Sequence, residues 1–310
     1  NLLQQGASLV HDDTPLFLDW STLLKNRAEK MEHLNAITDT KGNRVGRGYH
    51  FAEVVASEVD SDQMTPLSQS IWPETNPEAE FLSHTLELVA RVRKACGGNK
   101  GILVADRSAD HMGLLRHWTE DSTSRYLVRL RGQTELIYNR QIVITSKIAE
   151  SCDTPYGKNV MDIMRHGTKP EFLHFGFKPV RLPVAPDRPL SLVVVRGVSP
   201  EPMTLLTTEP VRNNRVVLTA LVAAYFRRWR IMSTKLRFYE RHQRSKIRVL
   251  GFDGIRNLSI LEFALASLHA RIHNEEGSNV WGGDSLHVIE EGIDLYSVRQ
   301  TEIPRISDPT

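Results

Sequence analysis

The order of hydrophobic and polar positions divides the chain into short apolar strands and a few long amphipathic helices. Two apolar runs, at residues 15–19 and 100–106, each end in an aspartate, the form of a buried strand that carries an acid at its tip. Residues 78–95 have apolar side chains at helical spacing and precede Gly97 and Gly98, which predicts a helix that ends there. A helix and a further strand follow Asp106, and this order favours a parallel crossover beside that residue.

The second half of the chain alternates between β-rich and helical patterns. Pro and Gly recur among short β-rich runs between residues 132 and 202, which predicts an inserted β-rich subdomain. A strand at 203–208 and two helices, at 216–248 and 255–273, come next. We therefore predict an α/β fold, a mixed sheet flanked by helices, in four parts: residues 1–131 as the first part of a core, 132–202 as the insertion, 203–275 as the second part of the core and 276–310 as a tail.

The predicted helix at 216–248 carries most of the clustered charge. Steps of three, four and seven residues place Tyr225, Arg228, Met232 and Tyr239 on one face. Nine Lys or Arg and one acid, Glu240, lie between residues 225 and 248, although the whole chain has a net charge of only +2. Local charge of this kind indicates a polyanionic partner, while a solvated basic face is the ordinary alternative.

Composition excludes several other classes of protein. Cys96 and Cys152 are far apart and lie in no metal-ligand pattern, so a disulfide framework and a zinc site are both unsupported, and we expect a reducing, cytoplasmic compartment. The longest apolar runs are too short to cross a bilayer, so we expect no membrane partner. With 310 residues and 40% hydrophobic composition, the chain can bury a large core.

The two strand-end acids suggest a specific chemistry. An RNase H-like nuclease core holds two metal ions about 4 Å apart on carboxylates, which activate a nucleophile and stabilise a leaving oxygen. In such a core Asp19 would bridge the ions and Asp106 would bind one of them. Aspartate at a strand end is also common turn chemistry, so either residue alone is weak evidence.

Three sequence landmarks strengthen this hypothesis. They are D-R-S-A-D at 106–110, L-L-T-T-E-P at 205–210 and Y-F-R-R-W-R-I at 225–231. In this order they resemble IS4-type DDE transposases, most closely the Tn5 type, over residues 15–273. That family has a D-R-x-x-D motif and a helix signature Y-(2)-R-(3)-E-(6)-K, of which Tyr225 and Arg228 match.

The resemblance implies an RNase H-like fold and metal-dependent cleavage and transfer of DNA strands on Mg²⁺ or Mn²⁺. It also implies double-stranded DNA partners, namely transposon ends and target DNA, a homodimer in a synaptic complex, and a place at the bacterial nucleoid. The catalytic positions would be Asp19, Asp106 and residue 232, with Asp19 and Asp106 as metal ligands. DNA contacts would come from Tyr225, Arg227, Arg228, Arg230, Lys235 and Arg237.

The chain departs from the family where the third carboxylate is expected. Position 232 is Met and position 239 is Tyr instead of Lys. A neutral thioether is a poor ligand for Mg²⁺, which prefers oxygen, so the second metal site is doubtful. Glu240 and Glu209 are unconvincing replacements.

The activity is therefore expected to be impaired, and a catalytically inactive, transposase-derived DNA-binding protein is the alternative. A structural module without DNA or metal leaves the basic helix and both aspartates unexplained. The family's N-terminal DNA-binding extension is expected to be absent or much reduced.

Overall fold

The computed structural model describes residues 2–38, 43–57, 64–159, 172–212, 214–241 and 251–275. Its helices are α1 (Leu2–Ala7), α2 (Pro77–Ala95), α3 (Met112–Glu120), α4 (Thr145–Glu150), α5 (Arg215–Arg241) and α6 (Phe252–Glu275). The strands of the first half are β1 (Pro15–Leu24), β2 (Asn35–Thr38), β3 (Arg44–Ser57), β4 (Met64–Trp72), β5 (Ile102–Ala105) and β6 (Tyr126–Arg129). Those of the second half are β7 (Glu135–Tyr138), β8 (Gln141–Ile144), β9 (Tyr156–Asn159), β10 (Phe172–Leu182), β11 (Ala185–Arg196) and β12 (Met203–Thr207).

The described strands form one mixed sheet in which β1 is central. On one side of β1 the strands β3 and β4 continue the sheet antiparallel, and β2 pairs with the first part of β3. On the other side β1 pairs in parallel with β5, which pairs in parallel with β6. The order β4-β3-β1-β5-β6 is therefore an antiparallel meander followed by two parallel crossovers. This topology confirms the predicted mixed α/β fold with a helix-flanked sheet.

Helices cover both faces of the sheet because its central strands are apolar on both sides. One face packs against α2 and α3 through residues such as Leu88, Val92 and Leu115. The other packs against the first half of α5 through Leu218 and Val222. Below β3 and β4 on this second face, Ile255 of α6 closes a smaller cluster. Helix α5, which carries the basic sequence signature, thus lies directly over the parallel strands.

Glycine ends α2 at the predicted place. Gly97 and Gly98 have φ of 86° and 95°, a left-handed conformation that glycine adopts without steric cost. The Gly98 N–H donates to the carbonyl of Arg93, which closes the last helical turn. The chain can therefore turn back immediately into β5, which delivers Asp106.

The predicted insertion is β-rich, and it continues the same sheet. Strands β7 to β11 and helix α4 lie between residues 132 and 202, and β11 pairs with β12, which pairs with β6. Arg188 of β11 donates to several carbonyls at the end of α3, among them Thr119 at 2.8 Å and Ser124 at 2.8 Å. This side chain ties the β-rich segment to the core. The domain boundaries at 131/132 and 202/203 stay predictions.

The prediction that Asp19 ends its strand is wrong. Strand β1 continues to Leu24 because its second half still pairs with β3, from Asp19↔Glu53 to Leu24↔Gly48. The parallel pairing with β5 does stop next to Asp19, since Leu18↔Ala105 is its last pair. Asp19 therefore lies at the end of the parallel pairing, within a longer strand.

Candidate active site

Strand register brings the two predicted aspartates side by side. Asp106 follows β5 in an extended conformation, one residue beyond the Leu18↔Ala105 pair, so it lies beside Asp19. Their side chains are 15% and 32% exposed. Asp106 also caps the short 3₁₀ turn Arg107–Ala109, where its Oδ1 accepts the Ser108 N–H at 2.8 Å. The sequence prediction of a paired-carboxylate site therefore corresponds to two neighbouring, accessible acids.

Arg228 of α5 is the cation that lies over this pair. Its Nη1 is 3.6 Å from Asp19 Oδ1, and its Nη2 is 3.7 Å from Asp106 Oδ2. The side chain is only 5% exposed, so the guanidinium is enclosed between helix and sheet. Both distances exceed that of a direct charge-assisted hydrogen bond, about 2.8 Å. The contact is therefore mainly electrostatic.

Tyr225 packs one turn before Arg228 on the same buried face. Its ring centroid lies 5.8 Å from the Arg228 guanidinium carbon, within range of a cation–π interaction. The residue is fully buried, yet its hydroxyl has no hydrogen-bond partner within the described residues. A buried hydroxyl of this kind is available to a ligand.

The remaining predicted site residues are placed less completely. Arg227 is half-buried on α5. Met232, Arg230, Lys235 and Arg237 belong to the same helix, but their side chains lie outside the described part of the structure. Whether any of these residues contacts DNA stays a prediction.

A row of charged residues, which sequence reasoning missed, extends the site across four strands. Glu53 of β3 pairs with Asp19 on one side. On the other side, Ala105↔Val128 is the last parallel pair, so Arg129 of β6 lies beside Asp106. The order across the sheet is Glu53, Asp19, Asp106 and Arg129. A single acid within the apolar run F-A-E-V-V-A was the only sequence signal for Glu53, and its neighbours across the sheet depend on register.

The second aspartate of D-R-x-x-D has a structural role. Asp110 Oδ2 accepts the backbone N–H of Arg131 and the hydroxyl of Thr134, both at 2.6 Å. These bonds fasten the 3₁₀ turn after Asp106 to the end of β6. The motif therefore consists of one acid in the site and one that holds the site loop.

Positive charge accumulates at the side of the site nearest Asp106. Burial, and then the like charge of Arg129, lowers the pKa of Arg107, while Tyr225 and Glu201 act in the opposite direction. Mutual repulsion of this kind is relieved by a bound anion such as a phosphate group. The arrangement can thus hold a cation at the acids and an anion beside them.

The donor set of the site agrees in part with a divalent cation. Two adjacent carboxylates are the hard oxygen ligands that Mg²⁺ and Mn²⁺ prefer, and Mg²⁺ commonly uses only one or two of them. The Arg228 guanidinium shows that a cation is stabilised at this point. Within the described residues, however, no three Asp, Glu, His or Cys side chains are grouped to hold one ion. The oxygen donors of Asp19 and Asp106 therefore fit a single Mg²⁺ or Mn²⁺ ion. The described residues offer no third carboxylate for that same ion.

Glu209, the acid of L-L-T-T-E-P, belongs to a different contact. Its two carboxylate oxygens accept from Arg125 Nε at 2.8 Å and Nη2 at 2.7 Å. Arg125 immediately precedes β6, so this pair lies at the opposite end of the strands from Asp106. Glu209 therefore cannot supply the missing ligand.

Comparison with known proteins gives low similarity. Neither the protein-family models nor the curated protein sequences give a match. Among solved structures, a piggyBac transposase synaptic complex with hairpin DNA is 13% identical, with a TM-score of 0.35, over 95% of this chain and 59% of that chain. The NurA nuclease from Sulfolobus solfataricus is 10% identical, with a TM-score of 0.34, over 97% and 92%. The chain thus spans less than two thirds of the length of the transposase. None of the described helices has the length and apolar character needed to cross a bilayer.

Proposed function

We propose that this protein is a DDE-type transposase of the IS4/Tn5-like kind that cleaves and transfers DNA strands, with an activity reduced by Met232. The observation that carries the proposal is the juxtaposition of Asp19 and Asp106 under Arg228. These three residues come from three separate parts of the chain, and each is a position that the family resemblance selects.

Each residue of the site has a chemical task in this proposal. Asp19 and Asp106 would hold Mg²⁺ or Mn²⁺, which when bound activates a water or a 3′-hydroxyl for in-line attack on a phosphodiester. Arg228 offsets one of the two negative charges, so a phosphate can approach carboxylates that would otherwise repel it more strongly. Arg129 and Arg107 would bind the neighbouring phosphates of the same strand. The buried Tyr225 hydroxyl would donate to the DNA backbone beside the cleaved bond.

The test is a nicking assay on supercoiled plasmid DNA with Mg²⁺ or Mn²⁺. We expect slow nicking that requires the metal and that falls at least about 100-fold in Asp19→Asn and in Asp106→Asn, since each loses a charged ligand. Arg116→Gln serves as the control, because this exposed side chain lies on α3, on the opposite face of the sheet. Nicking that persists unchanged in both aspartate variants would exclude the proposed site.

A protein that binds DNA without cutting it is the second candidate. Met232 favours this candidate, and so does the ion contact of Arg228 with both acids. In that case the chain binds DNA with a marked dependence on salt, and no nicking is detected with either metal. The same assay, combined with a DNA-binding titration, therefore separates the two functions. The proposal has further elements: the DNA that is recognised, a homodimer, a synaptic complex and a location at the nucleoid.

A further inference from the structure

Arg93, in the last turn of α2, is a buried cation that lies away from the candidate active site. Only 8% of its surface is exposed. Its Nη2 donates to the carbonyl of Arg125 at 2.7 Å, whereas its Nε and Nη1 have no hydrogen-bond partner within the described residues. A buried charged group with unmade hydrogen bonds destabilises the folded state unless a ligand of opposite charge binds it. Arg93 therefore has two donors that call for an acceptor.

The backbone acceptors of the connection between α3 and β6 are already engaged. The Ser124 carbonyl accepts from Arg188 at 2.8 Å. The Arg125 carbonyl accepts from Arg93 and also from the N–H of Leu103, the latter at 3.0 Å. The side-chain hydroxyl of Ser124, a residue with 0% exposure, has no partner in the part of the chain that the structure describes. Unused donors thus remain where the neighbouring carbonyls are taken.

Asp121 is the carboxylate whose charge acts on Arg93. Burial has the larger effect and lowers the pKa of Arg93, against Asp121, while the positive charges of Arg125 and Arg188 act in the same direction as burial. The Oδ1 of Asp121 already accepts the N–H and the hydroxyl of Thr123, at 3.0 and 2.8 Å. Positive charge is therefore concentrated around Arg93, and such a concentration attracts an anion.

An anion fits these donors better than a water molecule does. A buried water needs acceptors for its own two hydrogens, whereas an anion only accepts hydrogen bonds and also offsets the positive charge. The Nε and Nη1 of Arg93 are shielded from solvent, so a phosphate in the backbone of a DNA duplex does not reach them. A monatomic anion such as chloride is the class of ligand that fits an enclosed position of this kind.

We propose that Arg93 anchors an enclosed site for a small monovalent anion of the halide class, between the end of α2 and the start of β6. The bound anion stabilises the junction of α2 with the α3–β6 connection. This site lies at the opposite end of the strands from Asp106, so the inference does not depend on the proposed function.

The experiment measures urea unfolding of the full chain in sodium chloride and in sodium gluconate at equal ionic strength. Chloride at about ten times its dissociation constant should raise the folding equilibrium constant of the wild type about tenfold, since it binds only the folded state. Arg93→Met keeps a long side chain but has no donors, and its folding constant should differ less than about twofold between the two salts. The control is Arg91→Gln, which alters an exposed arginine two residues earlier on α2 and should keep the full gain.

Three results of this comparison would overturn the inference. The first is an equal gain from chloride in the wild type and in Arg93→Met, which would place the anion elsewhere. The second is no gain in the wild type. The third is a wild-type gain that is produced by a short DNA duplex in gluconate, is not produced by chloride, and is lost in Arg93→Met. In that case the ligand of Arg93 would be a DNA phosphate.

A second measurement needs no variant, in case Arg93→Met does not fold. Bromide replaces chloride in halide sites and scatters X-rays anomalously. Crystals of the wild-type protein grown in sodium bromide should show an anomalous peak within hydrogen-bonding range of Arg93 Nε or Nη1. A water molecule at this position, without anomalous signal, would contradict the inference.

Discussion

Two arginines contact carboxylates at opposite ends of the parallel strands β5 and β6, and the two contacts differ in kind. At the start of β6, Arg125 forms two parallel hydrogen bonds of 2.8 and 2.7 Å with the single acid Glu209. At the other end, Arg228 lies 3.6 and 3.7 Å from two acids, Asp19 and Asp106. The first contact satisfies both partners. The second shares one positive charge between two acids at longer distances.

The difference separates a stabilising ion pair from a binding site. A bidentate arginine–carboxylate pair has short bonds and a defined geometry, so it offers little to a ligand. One guanidinium shared by two acids leaves these three groups with a net negative charge, which attracts a cation. We therefore propose that the same residue types serve stability at one end of β5 and β6 and chemistry at the other.

The largest expected effect is on stability at the Arg125 end. Arg125→Ala should lower the free energy of unfolding by about 2–3 kcal/mol, because two charge-assisted hydrogen bonds are lost and Glu209 stays partly buried. Urea denaturation followed by circular dichroism measures this change. Arg116→Ala, which removes an exposed ion pair with Glu120, is the control and should cost below about 0.5 kcal/mol. If Arg125→Ala and Arg116→Ala lowered the free energy of unfolding equally, the Arg125–Glu209 pair would be no different from an ordinary surface ion pair.

A smaller effect, on binding rather than on stability, is expected at the Arg228 end. Arg228→Gln should weaken DNA binding about tenfold at low salt and reduce the salt slope by about one, because the site loses one positive charge and its two acids then repel phosphate more strongly. Fluorescence anisotropy at several salt concentrations measures both quantities. Arg125→Gln should leave the slope unchanged. If Arg125→Gln altered the salt slope as much as Arg228→Gln does, it would be wrong to assign stability to one end of the strands and DNA binding to the other.

An effect of about the same size concerns the pH dependence of stability at the Arg125 end. Burial raises the pKa of Tyr126, the residue after Arg125, to about 12, against an opposing hydrogen bond with Thr119. Because the folded pKa exceeds the ordinary value of 10, the unfolded chain loses this proton first. Stability is therefore complete below about pH 10 and is lost as the pH rises toward 12, by about 1.4 kcal/mol at pH 11. Denaturation midpoints at pH 9 and pH 11 should differ less in Tyr126→Phe than in the wild type. If the denaturation midpoints at pH 9 and pH 11 differed as much in Tyr126→Phe as in the wild type, Tyr126 would be accessible to water.

Local patterns predicted the elements that deliver the site but not the arrangement of the acids. The helix before Gly97 and the strand before Asp106 follow from apolar spacing and glycine conformation, which are properties of short segments. The end of β1 was misplaced because its second half is held by pairing with β3, a partner more than twenty residues away. The burial of Arg228 could not be predicted from the sequence either. An arginine on a basic helix has the same sequence pattern whether it is solvated or packed against a sheet.

The amino-acid sequence by itself determined the residue types of the site, the two aspartates, the Tyr-x-x-Arg spacing on one helix face and the methionine at position 232. The tertiary structure alone decided which charges meet. Register between β3, β1, β5 and β6 placed Glu53, Asp19, Asp106 and Arg129 in one row, and the packing of α5 laid Arg228 across it. The physical reason is that side-chain spacing along a segment follows from local backbone geometry, whereas contacts between segments depend on register and packing across the whole sheet.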